Sequence, residues 1–133
     1  MSGDGREKLS PKQYNKMIEE LDIENIELKT SSIFEAKTTL VQLLRVEESL
    51  LEIRKNVSRE IRAIKLKYLS HNEKSSLLGS FKLQKTKISS KRRSEHDKCE
   101  NEIGPYRNIL YIIDDYLKQI EDVKKYIDSI EDQ

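Results

Sequence analysis

The sequence is poor in the residues that form turns, disulfides and membrane spans. Its 133 residues include four glycines, two prolines, one cysteine and no tryptophan. So few turn residues argue against a many-stranded sheet, because each strand connection needs a turn. A single cysteine excludes an internal disulfide and favours a reducing, cytoplasmic location. No apolar run approaches the ~20 residues that span a bilayer, so we expect no transmembrane segment.

Charged residues, by contrast, are abundant, at 37% of the chain against 35% for hydrophobic residues. Leucine, isoleucine, valine and phenylalanine together number 36, about 27% of the chain, which is above the level at which a chain usually fails to fold. Alanine, glutamate, lysine, leucine and arginine together number 58, a composition close to that of coiled coils and long helices. The composition therefore predicts an all-α fold with little core.

A capping box at Ser10 predicts the first helix. The serine side chain can accept a hydrogen bond from a free N–H group, Pro11 suits the first helical position, and Gln13 can reach back to the cap. We expect one helix over residues 11–29, preceded by a flexible tail of residues 1–9.

A second capping box, Ser32 with Glu35, predicts a longer helix over residues 33–70. Its apolar residues recur on average every 3.5 positions, the repeat that keeps a coiled-coil seam facing a partner helix. A similar stripe predicts a third helix over residues 81–131. The residues expected to form the seam between these two helices are Leu43, Leu50, Ile53, Val57, Ile61, Ile64, Leu110, Ile113, Leu117 and Ile120.

Serine, asparagine and glycine residues within 70–80 predict a turn there, which would make the two long helices an antiparallel coiled-coil hairpin. With the tip at the centre of this segment, Val57 would lie near Arg93. The short N-terminal helix would pack near residues 120–130. Residues 10–133 would then form a single helical domain.

Gly104-Pro105 falls inside the third predicted helix. Proline removes a backbone hydrogen bond and clashes with the preceding turn. Two outcomes remain open: a kink in one helix, or a new helix with Pro105 as its first residue.

The net charge of +1 conceals a segregation of charge along the chain. Residues 1–53 carry a net charge of −4, residues 54–98 carry +10, and residues 99–133 carry −5. In the predicted hairpin the middle segment forms one basic end, and lysine and arginine bind phosphates by displacing counterions. The candidate anion-binding residues are Arg59, Arg62, Lys65, Lys67, Lys82, Lys85, Lys87, Lys91, Arg92 and Arg93.

These features predict a non-enzymatic helical interaction module whose basic end binds RNA or DNA. An acidic protein, an anionic membrane surface and a merely solvated helix face are alternatives for the basic end. A structural coiled-coil adaptor, or a self-associating protein with no nucleic-acid role, is the alternative for the whole chain.

Catalytic chemistry has little support in the sequence. A thin hairpin has little concavity, so we expect no enzyme, cofactor or small-molecule substrate. His96 and Cys99 are three positions apart, but two ligands do not make a zinc site, and we expect no bound metal.

Overall fold

The computed structural model describes residues 8–79 and 85–131, and the side chains within 8–69 and 93–130. Helix α1 is Pro11–Glu20, α2 is Ile33–Gly79 and α3 is Lys85–Glu131, with a short 3-10 helix, Ile23–Asn25, between α1 and α2. The two long helices pack along each other, and these described ranges contain no strand. The predicted all-α hairpin with a short N-terminal helix is confirmed.

Helix α1 begins at the predicted capping box but ends early. The Gln13 amide donates to Ser10 Oγ at 3.2 Å, and the Ser10 amide donates to Gln13 Oε1 at 2.7 Å. After Glu20 the backbone leaves the helix, because Asp22 adopts a left-handed conformation with φ 53°. The prediction of one helix over 11–29 is therefore wrong beyond its first half.

Helix α2 begins at Ile33, as predicted, with the Glu35 amide donating to Ser32 Oγ at 3.1 Å. It does not end near residue 70 but continues to Gly79, so the turn predicted within 70–80 is wrong for residues 70–79. Residues 70–79 contain no proline, and serine or asparagine costs a helix only ~0.5 kcal/mol each. The connection from α2 to α3 falls on 80–84, outside the described residues.

Helix α3 is continuous through Gly104 and Pro105, so the alternative in which a new helix starts at Pro105 is wrong. A proline ring clashes with the Cβ of a helical residue before it, and glycine has no Cβ. The pair is therefore tolerated within a helix where another residue before proline would be strained. The predicted start of this helix at 81 lies outside the described residues.

Ion pairs across the hairpin fix its register. Arg54 Nε lies 2.8 Å from Asp114 Oδ1, and Lys67 Nζ lies 3.4 Å from Glu102 Oε2. The partner of Arg54, Asp114, thus lies in the second half of α3. The two helices run antiparallel, because the partner number falls as the α2 number rises.

The predicted register, with Val57 near Arg93, is wrong by about five helical turns. Arg54, three residues before Val57, contacts Asp114, well beyond Arg93 in α3. Because α2 extends past the expected turn, each of its residues meets a later part of α3. The basic part of α2 consequently faces the acidic part of α3.

The core is a row of apolar side chains between α2 and α3. Leu50, Val57, Ile103, Ile109 and Ile113 each have 0% of their surface exposed. Of the predicted seam, these are buried: Leu43, Leu50, Ile53, Val57, Ile61, Ile64, Ile113 and Ile120. Leu110 and Leu117 are half-buried and pack against that row.

Helix α1 docks at the middle of the hairpin. The rings of Tyr14 and Tyr106 meet edge to face, with centroids 6.3 Å apart. Tyr106 Oη donates to the Leu9 carbonyl at 2.9 Å, and the Leu9 amide donates to Glu60 Oε2 at 3.1 Å. Helix α1 therefore packs near Tyr106 and not near 120–130 as predicted, although residues 23–28 of the predicted helix do lie beside Ile120 and Val123. Leu9 is anchored rather than part of a free tail.

Candidate anion-binding face

Four cationic side chains follow the outer face of α2: Lys55, Arg59, Arg62 and Lys65. We call these four residues the α2 basic face. Their spacings of four, three and three residues make each one a neighbour of the next on the helix surface. At 1.5 Å per residue they cover ~15 Å of helix. Arg59 is half-buried and the other three are exposed.

The opposite side of the same turns explains this orientation. Val57, Ile61 and Ile64 are buried against α3, so the cations on the opposite side of these turns point outward. Ser58 lies among the cations, in a shallow groove lined by Leu51, Arg54, Lys55, Ser58, Arg59 and Arg62. The groove is open, polar and confined to one helix, which suits an extended ligand lying across it.

Cations at the two borders of the α2 basic face are neutralised within the molecule. The hydrogen bond to Asp114 raises the pKa of Arg54, so this guanidinium stays charged and is paired with a carboxylate of α3. Within the described residues, no carboxylate lies within 4.0 Å of a cation of the α2 basic face. The four therefore keep their charge available to an external anion.

Lys67, a predicted binding residue, belongs to an internal cluster. Its Nζ lies 3.4 Å from Glu102 Oε2 and 5.0 Å from the centroid of the Tyr68 ring. Tyr68 Oη donates to Glu102 Oε1 at 2.6 Å. This hydrogen bond raises the pKa of Tyr68 to about 12 and lowers the pKa of Glu102. Lys67 is therefore less available to a ligand than its exposure suggests.

The structure brings only part of the predicted set together. Arg59, Arg62 and Lys65 share one face, whereas Arg93 is exposed on α3, on the tip side of the Lys67 partner Glu102. The side chains of the remaining candidates lie outside the described residues: Lys82, Lys85, Lys87, Lys91 and Arg92.

Lys55 completes the face and was missing from the predicted set. It precedes Arg59 by four positions and Arg62 by seven, and this helical spacing was readable in the sequence. Lys55 was missing because the predicted set followed the expected tip of the hairpin and not one face of α2.

The other reactive side chains do not converge on a site. Cys99 is buried and His96 is exposed, so they point to different environments. Burial raises the pKa of the Cys99 thiol, which keeps it protonated and unreactive at neutral pH. Among the described side chains, no three residues of the His, Cys, Asp and Glu types come close enough to share a metal ion.

Comparisons with known proteins leave the site to be interpreted from its geometry. Neither the family models, nor the curated proteins, nor the solved structures match this chain. Within 8–79 and 85–131, no helix is apolar enough over a sufficient length to cross a membrane. The fold and the site define a helical hairpin with a cationic outer face on α2.

Proposed function

We propose that this chain is a non-enzymatic helical interaction module whose α2 basic face binds the phosphate backbone of RNA or DNA. One observation carries the proposal. The four cations of the face have no described carboxylate partner, while the adjacent Arg54 and Lys67 are both paired with α3.

The unpaired cations are unfavourable for the isolated helix. Like charges at three- and four-residue spacing destabilise a helix by ~0.2–0.5 kcal/mol per pair. A polyanion removes that repulsion and releases its own condensed counterions, so binding is favoured most at low salt. Arg59 and Arg62 can in addition each donate two parallel hydrogen bonds to a phosphate.

The expected recognition is of backbone rather than base. The α2 basic face contains no aromatic side chain on which a base could stack. Four phosphate contacts give a salt slope of about −3.6 on duplex DNA, with little dependence on sequence. An acidic protein surface has similar charge but lacks a regular phosphate spacing, and it serves as the comparison in the test.

The test measures binding of the full chain to labelled RNA, labelled DNA and an acidic polypeptide across a range of salt concentrations. In the test variant, Arg59, Arg62 and Lys65 are replaced by glutamine. We expect its nucleic-acid affinity to fall at least tenfold at low salt and its salt slope on duplex DNA to shrink by about 2.7.

A matched control removes the same charge elsewhere. Lys12, Lys16 and Lys118 are all exposed and lie outside the α2 basic face. Replacing these three by glutamine should leave the affinity within about twofold of the parent, because no backbone contact is lost. Absence of nucleic-acid binding at low salt, or equal losses in both variants, contradicts the proposal. Tighter binding to the acidic polypeptide would reassign the face to a protein partner.

A further inference from the structure

Four exposed apolar side chains follow the outer face of the first half of α2. Phe34 is 79% exposed, Val41 48%, Leu44 42% and Leu51 50%. We call these four residues the α2 apolar stripe. Their spacings of seven, three and seven residues are those of a coiled-coil seam.

This stripe is separate from the seam that holds the hairpin together. Leu43 and Leu50, each one residue earlier, are buried against α3. Leu44 and Leu51 therefore lie about 100° around the helix from that seam, on a side that nothing in the described part of the chain covers. Exposed bulky apolar residues at a coiled-coil repeat are typical of a helix that packs on another helix.

The stripe is complementary to itself when two copies run antiparallel. A two-fold axis placed between residues 42 and 43 puts Phe34 of each copy opposite Leu51 of the other, and Val41 opposite Leu44. In heptad terms, Phe34 and Val41 occupy a positions and Leu44 and Leu51 occupy d positions. Each a residue therefore faces a d residue of the other copy, as required in an antiparallel coiled coil. A large residue at one end of the stripe thus packs on a residue of the other end.

Two charged residues complete the repeat between the apolar ones. Lys37 and Glu48 are exposed, and within the described residues neither forms an ion pair. The same two-fold axis sets Lys37 of each copy opposite Glu48 of the other. A parallel, in-register pairing would instead set lysine against lysine and glutamate against glutamate. The charges therefore select the antiparallel arrangement.

We propose that the α2 apolar stripe is a dimerisation surface that binds the same stripe of a second copy of this chain in antiparallel orientation. The proposal goes beyond the proposed function, because none of the four cations of the α2 basic face takes part in the pairing. Self-association measured without nucleic acid tests it separately. Because Leu51 also lines the groove beside the α2 basic face, the test substitutes Leu44, which does not line that groove.

The first experiment measures the mass of the full chain by sedimentation equilibrium at high salt. High salt screens charged contacts between acidic and basic segments but leaves apolar burial intact. We expect a dimer. Leu44→Glu should shift the chain to monomer, because it sets a carboxylate against Val41 of the other copy.

Leu66→Glu is the matched control. Leu66 is 58% exposed on the same helix but lies beyond the stripe, so this variant should remain dimeric. A monomeric parent chain at high concentration, or a dimer that Leu66→Glu disrupts and Leu44→Glu leaves intact, overturns the proposal. Circular dichroism of each variant verifies that both keep the helical fold.

A charge exchange tests the orientation. Lys37→Glu and Glu48→Lys should each weaken the dimer roughly tenfold, since each creates two like-charge contacts per dimer. The double variant restores opposite charges and should recover the parental dissociation constant to within about threefold. Single variants without effect, or a double variant weaker than either single one, would show that these residues do not meet and would overturn the antiparallel pairing.

Discussion

Arg54 and Asp114, which lie 60 residues apart in the chain, are in direct contact across the hairpin, with Nε 2.8 Å from Oδ1. The contact sets the beginning of the basic segment of α2 against an acidic part of α3. The segregation of charge along the sequence is consequently offset in part across the hairpin. Among the described residues, the cations on the outer side of α2 have no such ion-pair partner on α3.

Distances between spin labels can check this register. With Cys99 replaced by serine, labels at positions 54 and 114 should lie within a short distance of each other. Labels at 54 and 93 should be about 30 Å apart, since 21 helical residues at 1.5 Å each separate the two α3 positions. Closer labels at 54 and 93 than at 54 and 114 would contradict the observed pairing.

The cluster of Lys67, Tyr68 and Glu102 makes stability depend on pH at both ends of the scale. The raised pKa of Tyr68, about 12 against an ordinary 10.0, means that its contribution is complete below pH 10 and is lost as pH rises towards 12. The lowered pKa of Glu102 means that its contribution is present above the ordinary value of 4.5 and is lost as pH falls below it.

Tyrosine absorbance titration of the parent chain, Tyr68→Phe and Glu102→Gln can separate these effects. The parent should show one late-ionising tyrosine that Tyr68→Phe lacks, and Glu102→Gln should move that ionisation back towards 10.0. An unchanged titration in Glu102→Gln would show that the carboxylate does not accept this hydrogen bond. At acid pH, where the contribution of the Glu102 carboxylate is lost, the melting temperatures of the parent and Glu102→Gln should become equal.

Gly104 and Pro105 should act as a coupled pair. Pro105→Ala restores a backbone hydrogen bond and should stabilise the chain by about 1–3 kcal/mol. No side chain or distant backbone atom lies within 4 Å of a Cβ added at Gly104, so only the adjacent proline opposes one. Gly104→Ala should therefore stabilise by ~1 kcal/mol when Pro105 is already alanine and by clearly less in the parent. Additive effects in a denaturation cycle would contradict the coupling.

Leu50 provides a measure of the core. Its side chain is fully buried between α2 and α3, so Leu50→Ala should lower the free energy of unfolding by about 2–5 kcal/mol. Leu66→Ala makes the same chemical change at a side chain that is 58% exposed and should cost less than about 0.5 kcal/mol. If urea denaturation showed similar decreases in the free energy of unfolding for Leu50→Ala and Leu66→Ala, the assignment of Leu50 to the buried face of α2 would be wrong.

The helix starts and the core face were predictable because they depend on local signals. The caps at Ser10 and Ser32 act within one turn, and the 3.5-residue repeat marks the face of α2 that includes Leu50. The positions of helix ends were less accessible. No glycine or proline beside Asp22 predicts its left-handed backbone. The serine, asparagine and charged residues of 70–79 are compatible with a turn and with a solvent-exposed helix alike.

The register, and with it the site, could not be read from the sequence. A regular repeat fits equally well when one helix slides by a whole heptad against the other. Lys67 was therefore predicted to bind an anion alongside Arg59 and Arg62, because its partner Glu102 on α3 could not be known. Sequence alone identified the basic segment, whereas the contacts decide which of its cations are already occupied.

The docking of α1 has a consequence for the order of folding. Leu9 contacts Glu60 of α2 and Tyr106 of α3, residues that are 51 and 97 positions away in the chain. Only the paired hairpin presents both partners to Leu9 at once, so we expect α1 to complete its tertiary contacts after α2 and α3 have paired. During unfolding we expect the opposite order of events, in which α1 detaches first while α2 and α3 remain paired.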